Sequence, residues 1–442
     1  MTTIDDVLLG NVTYDPGAAI SQAQPGPVPQ YPDDPLALAD IGIKLRDDGV
    51  YDRAEEIFQS LIDRFPQLVY GFQEMGVLRS QIGRHDEALQ FFRQALDVDP
   101  SDLMARKNLA FQLLRLGEAN QAITILRAHP PGNSQMDFVA QTLAQFVDFV
   151  REHPEADAMR LANRFERSGH YLSPPKVADR IIAAAEVGEP FSLVRLGDGE
   201  GAWLPRDNTD EARFAQLYES NRRGILKIWF ASDALYSSRS FAALGRRLAE
   251  ILRRTDVIGL PSSLRIAHEY RSQSIRGIPA SVDILRGLTA RLESAAPGSY
   301  CGQDIHLDLH INGFFRELLS MPFTFGVISC HPDLGYRLAT SLGARVVRMI
   351  IVPEEKGFSQ VAGVSGMSEP HYPLVFQRIV ERLRREARQA TIWLIAAGYL
   401  GKIYCDEVRE AGGIALDVGS VVDGWCGKLT RPTFPLMGNC EL

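Results

Sequence analysis

A 34-residue period runs through the first third of this chain and fixes what that part can become. Counting Pro35 as position 1, Gly42, Ala54, Phe58 and Pro66 stand at positions 8, 20, 24 and 32. One period later Gly76, Ala88, Phe92 and Pro100 occupy the same places. Ala110, Ala122 and Leu126 follow in a third unit, which lacks the glycine at position 8 and the proline at position 32. Small residues at positions 8 and 20 let two antiparallel helices approach closely. The large residue at 24 fills the gap to the next unit, and proline ends the second helix. Gly49, Gly83 and Gly117, all at position 15, mark the turn inside each helical pair.

This pattern resembles the tetratricopeptide repeat. The resemblance implies a helical solenoid over residues 34–136, preceded by a Pro-rich flexible leader over residues 1–33. Residues 137–170 continue with helical periodicity, through Phe138, Leu143, Phe146 and Phe165, as capping or linking helices. Such repeats serve either as a spacer or dimerisation surface, or as a groove that holds a protein partner or acceptor. The period does not separate the two.

Length and composition set the outer bounds. A chain of 442 residues predicts two or three domains. A net charge of −8 argues against a nucleic-acid partner bound by bulk charge, while leaving room for a local anion site. The five cysteines include no C-x-x-C pair, so neither a zinc framework nor a disulfide framework is expected, and each is read as a small buried hydrophobe. The N-terminal stretch has no basic segment followed by an apolar core, and no apolar run approaches the ~20 residues a bilayer requires. A cytoplasmic location without a transmembrane segment is the expectation.

Residues 171–442 alternate short apolar runs with amphipathic stretches. Strands are expected at 191–194, 225–230, 257–260, 325–330, 346–352, 392–396 and 414–418, with helices at 177–185, 241–254, 335–342, 373–390 and 400–411. That order predicts a mainly parallel, Rossmann-like sheet covered on both faces. The fold class is therefore α + α/β.

Chemistry-bearing residues concentrate where those strands end. In FSLVRLGDGE, Gly197 and Gly199 turn the chain after the first strand and set Arg195, Asp198 and Glu200 at its carboxyl end, where open α/β sheets bind ligands. Two acids spaced D-x-E suit a hard divalent cation and the phosphates it carries, and an arginine fork suits phosphate. A tight turn with solvated or Arg-paired acids accounts for the same letters. After the sixth expected strand, AAGYLGK places Gly398, Gly401 and Lys402 at a helix start, an anion site or a plain strand–helix turn. After the last come Asp417, Gly419, Ser420, Asp423 and Trp425, for sugar or ribose hydroxyls, a metal-bound water, or helix capping and core packing. His331, directly after a strand, is well placed for ligand contact, and His371 less so. His306 and His310, spaced as helical metal ligands would be, lie in an alternating stretch that reads as a strand or edge, so a structural role is favoured there.

Taken together, FSLVRLGDGE, IAAGYLGKIYCDEV and GGIALDVGSVVDGWCG resemble bacterial glycosyltransferases of the GT-D fold, over most of residues 175–428. The resemblance implies a Rossmann-like domain in which Asp198 and Glu200 serve manganese or magnesium and a nucleotide-sugar diphosphate, typically a UDP-sugar. It extends donor binding to Arg195, Gly197, Gly199, Gly398, Gly401, Lys402, Asp417 and Ser420. Asp423 and His331 are then the candidates for the base that deprotonates the acceptor, a protein or surface glycan. The repeats lie outside that family's core. The other readings are a non-catalytic adaptor whose α/β domain senses nucleotide sugars, and a Rossmann-type methyltransferase.

Overall fold

A computed structural model of the chain describes residues 32–428, apart from 48, 129–133 and 297, together with Thr430. Almost all of the expected leader lies outside the described residues. Contacts divide the chain between Asp148 and Phe149.

In the first unit, helices Pro35–Asp47, Tyr51–Arg64, Val69–Gln81, His85–Val98, Leu103–Arg115 and Ala119–Arg127 follow one another as three short-looped pairs. The period is realised side chain by side chain. Phe58 lies against Gly42, and a Cβ added at Gly76 would stand 2.5 Å from Phe92. Gly49, Gly83 and Gly117 adopt φ of +78°, +78° and +83°, the left-handed turn conformation that glycine reaches without strain. Leu38, Ala54, Ile57, Phe58, Leu61, Met75 and Leu78 close a common core. The helix Ser134–Glu152 runs across the division between units.

The second unit carries a seven-stranded sheet in the order β3-β2-β1-β7-β6-β4-β5. Its strands are β1 (Phe191–Arg195), β2 (Val257–Leu260), β3 (Ser299–Gly302), β4 (Thr324–Ser329), β5 (Arg345–Ile351), β6 (Ile392–Ile395) and β7 (Ile414–Asp417). Every pairing is parallel, so all seven carboxyl ends open on one edge. β2, β6 and β7 are buried at every residue, as strands covered on both faces must be. Phe191, Leu193, Phe325, Val327, Ile392, Leu394, Ile414 and Leu416 form one core face. The helix Glu155–Glu166 belongs to this unit: Phe165 packs edge-on against Tyr300, and Glu166 accepts from Ser263.

Two expected elements differ. Residues 225–230 are not a strand but the last turns of the helix Ala215–Phe230, because Leu217, Tyr218, Asn221 and Ile225 already establish a buried helical stripe. Residues 305–311 form a helix, with Ile305 and Leu309 buried while Ile311 is 59% exposed. Their alternation of apolar and polar residues is coincidental. β3 was not anticipated; its four residues, SYCG, are too few and too polar at the ends to stand out. Among the described residues, no helix is long and apolar enough to cross a membrane.

Two glycine substitutions separate crowding from backbone strain. Gly76→Val is expected to cost about 1–3 kcal/mol by overpacking against Phe92. Gly83→Ala, where an added Cβ meets nothing within 4 Å, is expected to cost only about 1 kcal/mol, from its positive φ. Urea unfolding followed by helical circular dichroism checks both.

Candidate functional site

The site begins where β1 ends. Gly197 starts the six-residue helix Asp198–Trp203, and its amide donates to Glu200 Oε2 at 3.0 Å. The Gly199 amide donates to Asp198 Oδ1 at 2.8 Å. Gly199 has no room for a side chain, since a Cβ there would lie 2.6 Å from the Trp229 ring. Its smallness thus serves a packing contact. Trp229 in turn stacks on Tyr399, with ring centroids 5.0 Å apart.

The two acids of the D-x-E part company. Asp198 Oδ2 accepts from Arg276 Nε at 2.5 Å, and 35% of the Asp198 side chain remains exposed. Burial acts to raise its pKa, but Arg276, Arg265 and the Gly199 amide outweigh that and hold the carboxyl below the usual aspartate range. Glu200 is buried and turns back toward the sheet, 3.4 Å from Lys402 Nζ.

Beneath them lies a buried charge cluster. Asp417, the last residue of β7, accepts from Lys402 Nζ at 2.6 Å, from the Arg195 amide at 3.1 Å and from Arg195 Nη2 at 3.2 Å. Arg195 also donates to the Asp417 and Gln303 carbonyls and meets His306. Burial would lower the Lys402 pKa, yet Asp417 and Glu200 outweigh it and raise it. Burial would likewise raise Asp417, and Arg195 and Lys402 hold it down. Gly419, at φ +50°, gives the Arg195 guanidinium the space a side chain would fill. The structure therefore brings Arg195, Lys402 and Asp417 together, and they spend their charges on one another.

The remaining candidates sit along the same edge. Gly398, at φ +53°, opens the helix Gly398–Glu410 with Glu355 against it, and Gly401 lies one turn on. Ser420 precedes the short helix Val421–Trp425 and makes no side-chain cap bond. Asp423 does not cap either: its Oδ1 meets His331 Nε2 at 2.8 Å and its Oδ2 accepts from Thr430 at 2.6 Å. His331 is 1% exposed, and its amide donates to Ser329 Oγ. His306 and His310 have separate partners, Arg195 and the Trp425 indole. His371 is buried against the Tyr404 hydroxyl, and burial lowers its pKa to about 3.

Arg276, Arg265, Thr430 and Cys330 were not singled out from the sequence. Arg265 lies in the helix Ser263–Arg271 and Arg276 immediately precedes the helix Gly277–Leu292, with no spacing that points to Asp198. Cys330 carried one usable signal, its place beside His331 at a strand end.

The tetratricopeptide repeat family model matches residues 81–145. A search of curated proteins returns no match. Among solved structures, a mutant O-GlcNAc transferase from Thermobaculum terrenum is 12% identical, with 96% of this chain and 78% of that chain covered, at a TM-score of 0.24. A score that low carries no inference about fold or activity.

Two perturbations test the site's electrostatics. Lys402→Met would leave Glu200 and Asp417 buried with one cation fewer, and is expected to cost about 3–5 kcal/mol in urea unfolding. Glu354, in the loop after β5, accepts from Lys356 at 2.6 Å and from Ser365. Burial would raise its pKa, but those bonds lower it to about 2. A depressed carboxylate stabilises the fold above its unfolded pKa and loses that contribution as pH falls through the folded value. Roughly 3 kcal/mol should disappear between about pH 5 and pH 2. Glu354→Gln should flatten that part of a stability-against-pH curve.

Proposed function

We propose that the chain is a glycosyltransferase that moves a sugar from a nucleotide-sugar donor, with UDP-sugars as the first class to test, onto a protein or surface-glycan acceptor. The observation that carries this reading is the gathering of Asp198, Arg276 and Arg265 at the carboxyl end of β1, on the edge that also holds His331 and Asp423. A hard cation such as manganese or magnesium fits Asp198, whose carboxylate oxygens and partial exposure suit it. Glu200 fits less well, being committed to the Gly197 amide and placed beside Lys402. Its part is to hold the turn. Bound there with the donor, such a cation would act as a Lewis acid toward the diphosphate.

The chain's own residues do the rest. Arg276 can exchange Asp198 for diphosphate oxygens, because a guanidinium binds carboxylate and phosphate with the same fork. Arg265 adds positive charge where the leaving group gains negative charge. The Asp423 carboxylate, oriented by His331 and Thr430, accepts the acceptor hydroxyl's proton. The repeats supply a surface for a protein partner or acceptor.

The adaptor reading gains support from the closed Asp198–Arg276 pair and the inward turn of Glu200. A donor screen by UDP, GDP and CMP release, with and without manganese, separates the two. Manganese-stimulated release is expected from the purified chain. Asp198→Asn should reduce it about 100-fold or more, since it removes the one acid placed to hold the cation. Calorimetric binding of UDP with no turnover across the donor panel would favour the adaptor.

A further inference from the structure

We propose that Cys330, His331 and Asp423 form a transition-metal site at the carboxyl end of β4, selective for zinc and chemically similar ions. One ligand atom from each, a sulfur, an imidazole nitrogen and a carboxylate oxygen, lies within 4.8 Å of the others. Among the described residues, no other set of three such side chains converges in this way. With one sulfur, the three ligands on a tetrahedral zinc stand about 3.3–3.5 Å apart, given bonds of about 2.0 Å to nitrogen and oxygen and 2.3 Å to sulfur. Closing the set from separations of at most 4.8 Å therefore needs shifts of about 1 Å.

The surroundings favour a cation. Thr430 holds Asp423 Oδ2, leaving Oδ1 toward His331. Such an outer contact orients a ligating carboxylate. The Ser329 hydroxyl accepts from the His331 amide and fixes the backbone there. Asp423, Glu354 and Glu355 place negative charge around the Cys330 sulfur. The same negative field draws a cation, and a bound transition metal displaces a thiol proton. The sulfur decides which ion: magnesium, calcium and manganese prefer oxygen, whereas sulfur and imidazole donors suit zinc and cobalt. Three protein ligands leave one tetrahedral vertex for water or a substrate oxygen, the arrangement of a catalytic rather than a structural zinc site.

His331 and Asp423 also figure in the transfer reading: an ion bound here takes the Asp423 oxygen that faces His331 and withdraws that carboxylate as base, so the two uses of Asp423 exclude one another, and the metal site is tested by binding measured without turnover. The full chain, reduced and stripped with a chelator, is titrated with cobalt and followed by absorption, and zinc affinity is measured by competition. One equivalent of cobalt should bind, with a thiolate-to-cobalt charge-transfer band. Cys330→Ser, a near-isosteric change, should abolish that band and weaken zinc binding at least tenfold. Asp198→Asn should leave both unchanged. Absence of saturable binding at one equivalent, or a charge-transfer band that persists in Cys330→Ser, would overturn the proposal. Inactivity in the donor screen with an intact cobalt signal would fault the transferase reading alone.

Discussion

One buried carboxylate holds the carboxyl edge of the sheet together. Asp417 ends β7 and binds both the amide and the guanidinium of Arg195, the last residue of the neighbouring β1. It also binds Lys402 from the helix that follows β6. Three segments from opposite ends of the domain are thereby locked at one point. A buried ion set of this kind adds little net stability over an apolar one, because desolvation offsets the attraction. What it does supply is position. With Arg195, Asp417 and Lys402 fixed, the turn at Gly197–Asp198 can leave the sheet in only one direction, and Glu200 closes it from the far side through the Gly197 amide.

That division of labour explains why the sequence was readable in some places and opaque in others. The repeat was legible because its signal is local and redundant: Gly42 with Phe58 and Gly76 with Phe92 state the same contact twice. Six of the seven strands were legible as apolar runs in the expected residues; apart from the partly exposed β5, this is because a strand buried on both faces must be apolar throughout. Residues 225–230 failed for the same reason, since a buried helical end shows the same letters. The GDGE turn was visible, but the partners of its charges were not. Arg276 lies 78 residues from Asp198, and Asp417 lies 222 from Arg195. Nothing in a linear pattern tells a carboxylate which guanidinium it will meet.

The glycines carry a related lesson. A glycine-rich turn at a strand end suggests close approach by a ligand, yet Gly199 makes way for Trp229, Gly201 for Ala280 and Gly419 for Arg195. Their absent side chains are used by the protein itself. Gly197 differs, with its nearest neighbour, the Glu200 carboxylate, 3.5 Å from an added Cβ. Of the four, it is the position where backbone stays open enough to face a ligand.

The Asp198–Arg276 pair then bears on function in a particular way. Both groups are charged, and Asp198 is held ionised more firmly than an isolated aspartate. An ion pair at a part-exposed site is of modest worth, because water and screening recover much of what separation loses. Replacing it by two stronger partnerships, carboxylate with cation and guanidinium with diphosphate, conserves charge balance at every step. A ligand bringing only negative charge would engage Arg276 and take it from Asp198. A cation alone would do the reverse. Under the proposed transfer reading, a ligand that carries both signs, such as a metal–diphosphate complex, would keep both groups paired.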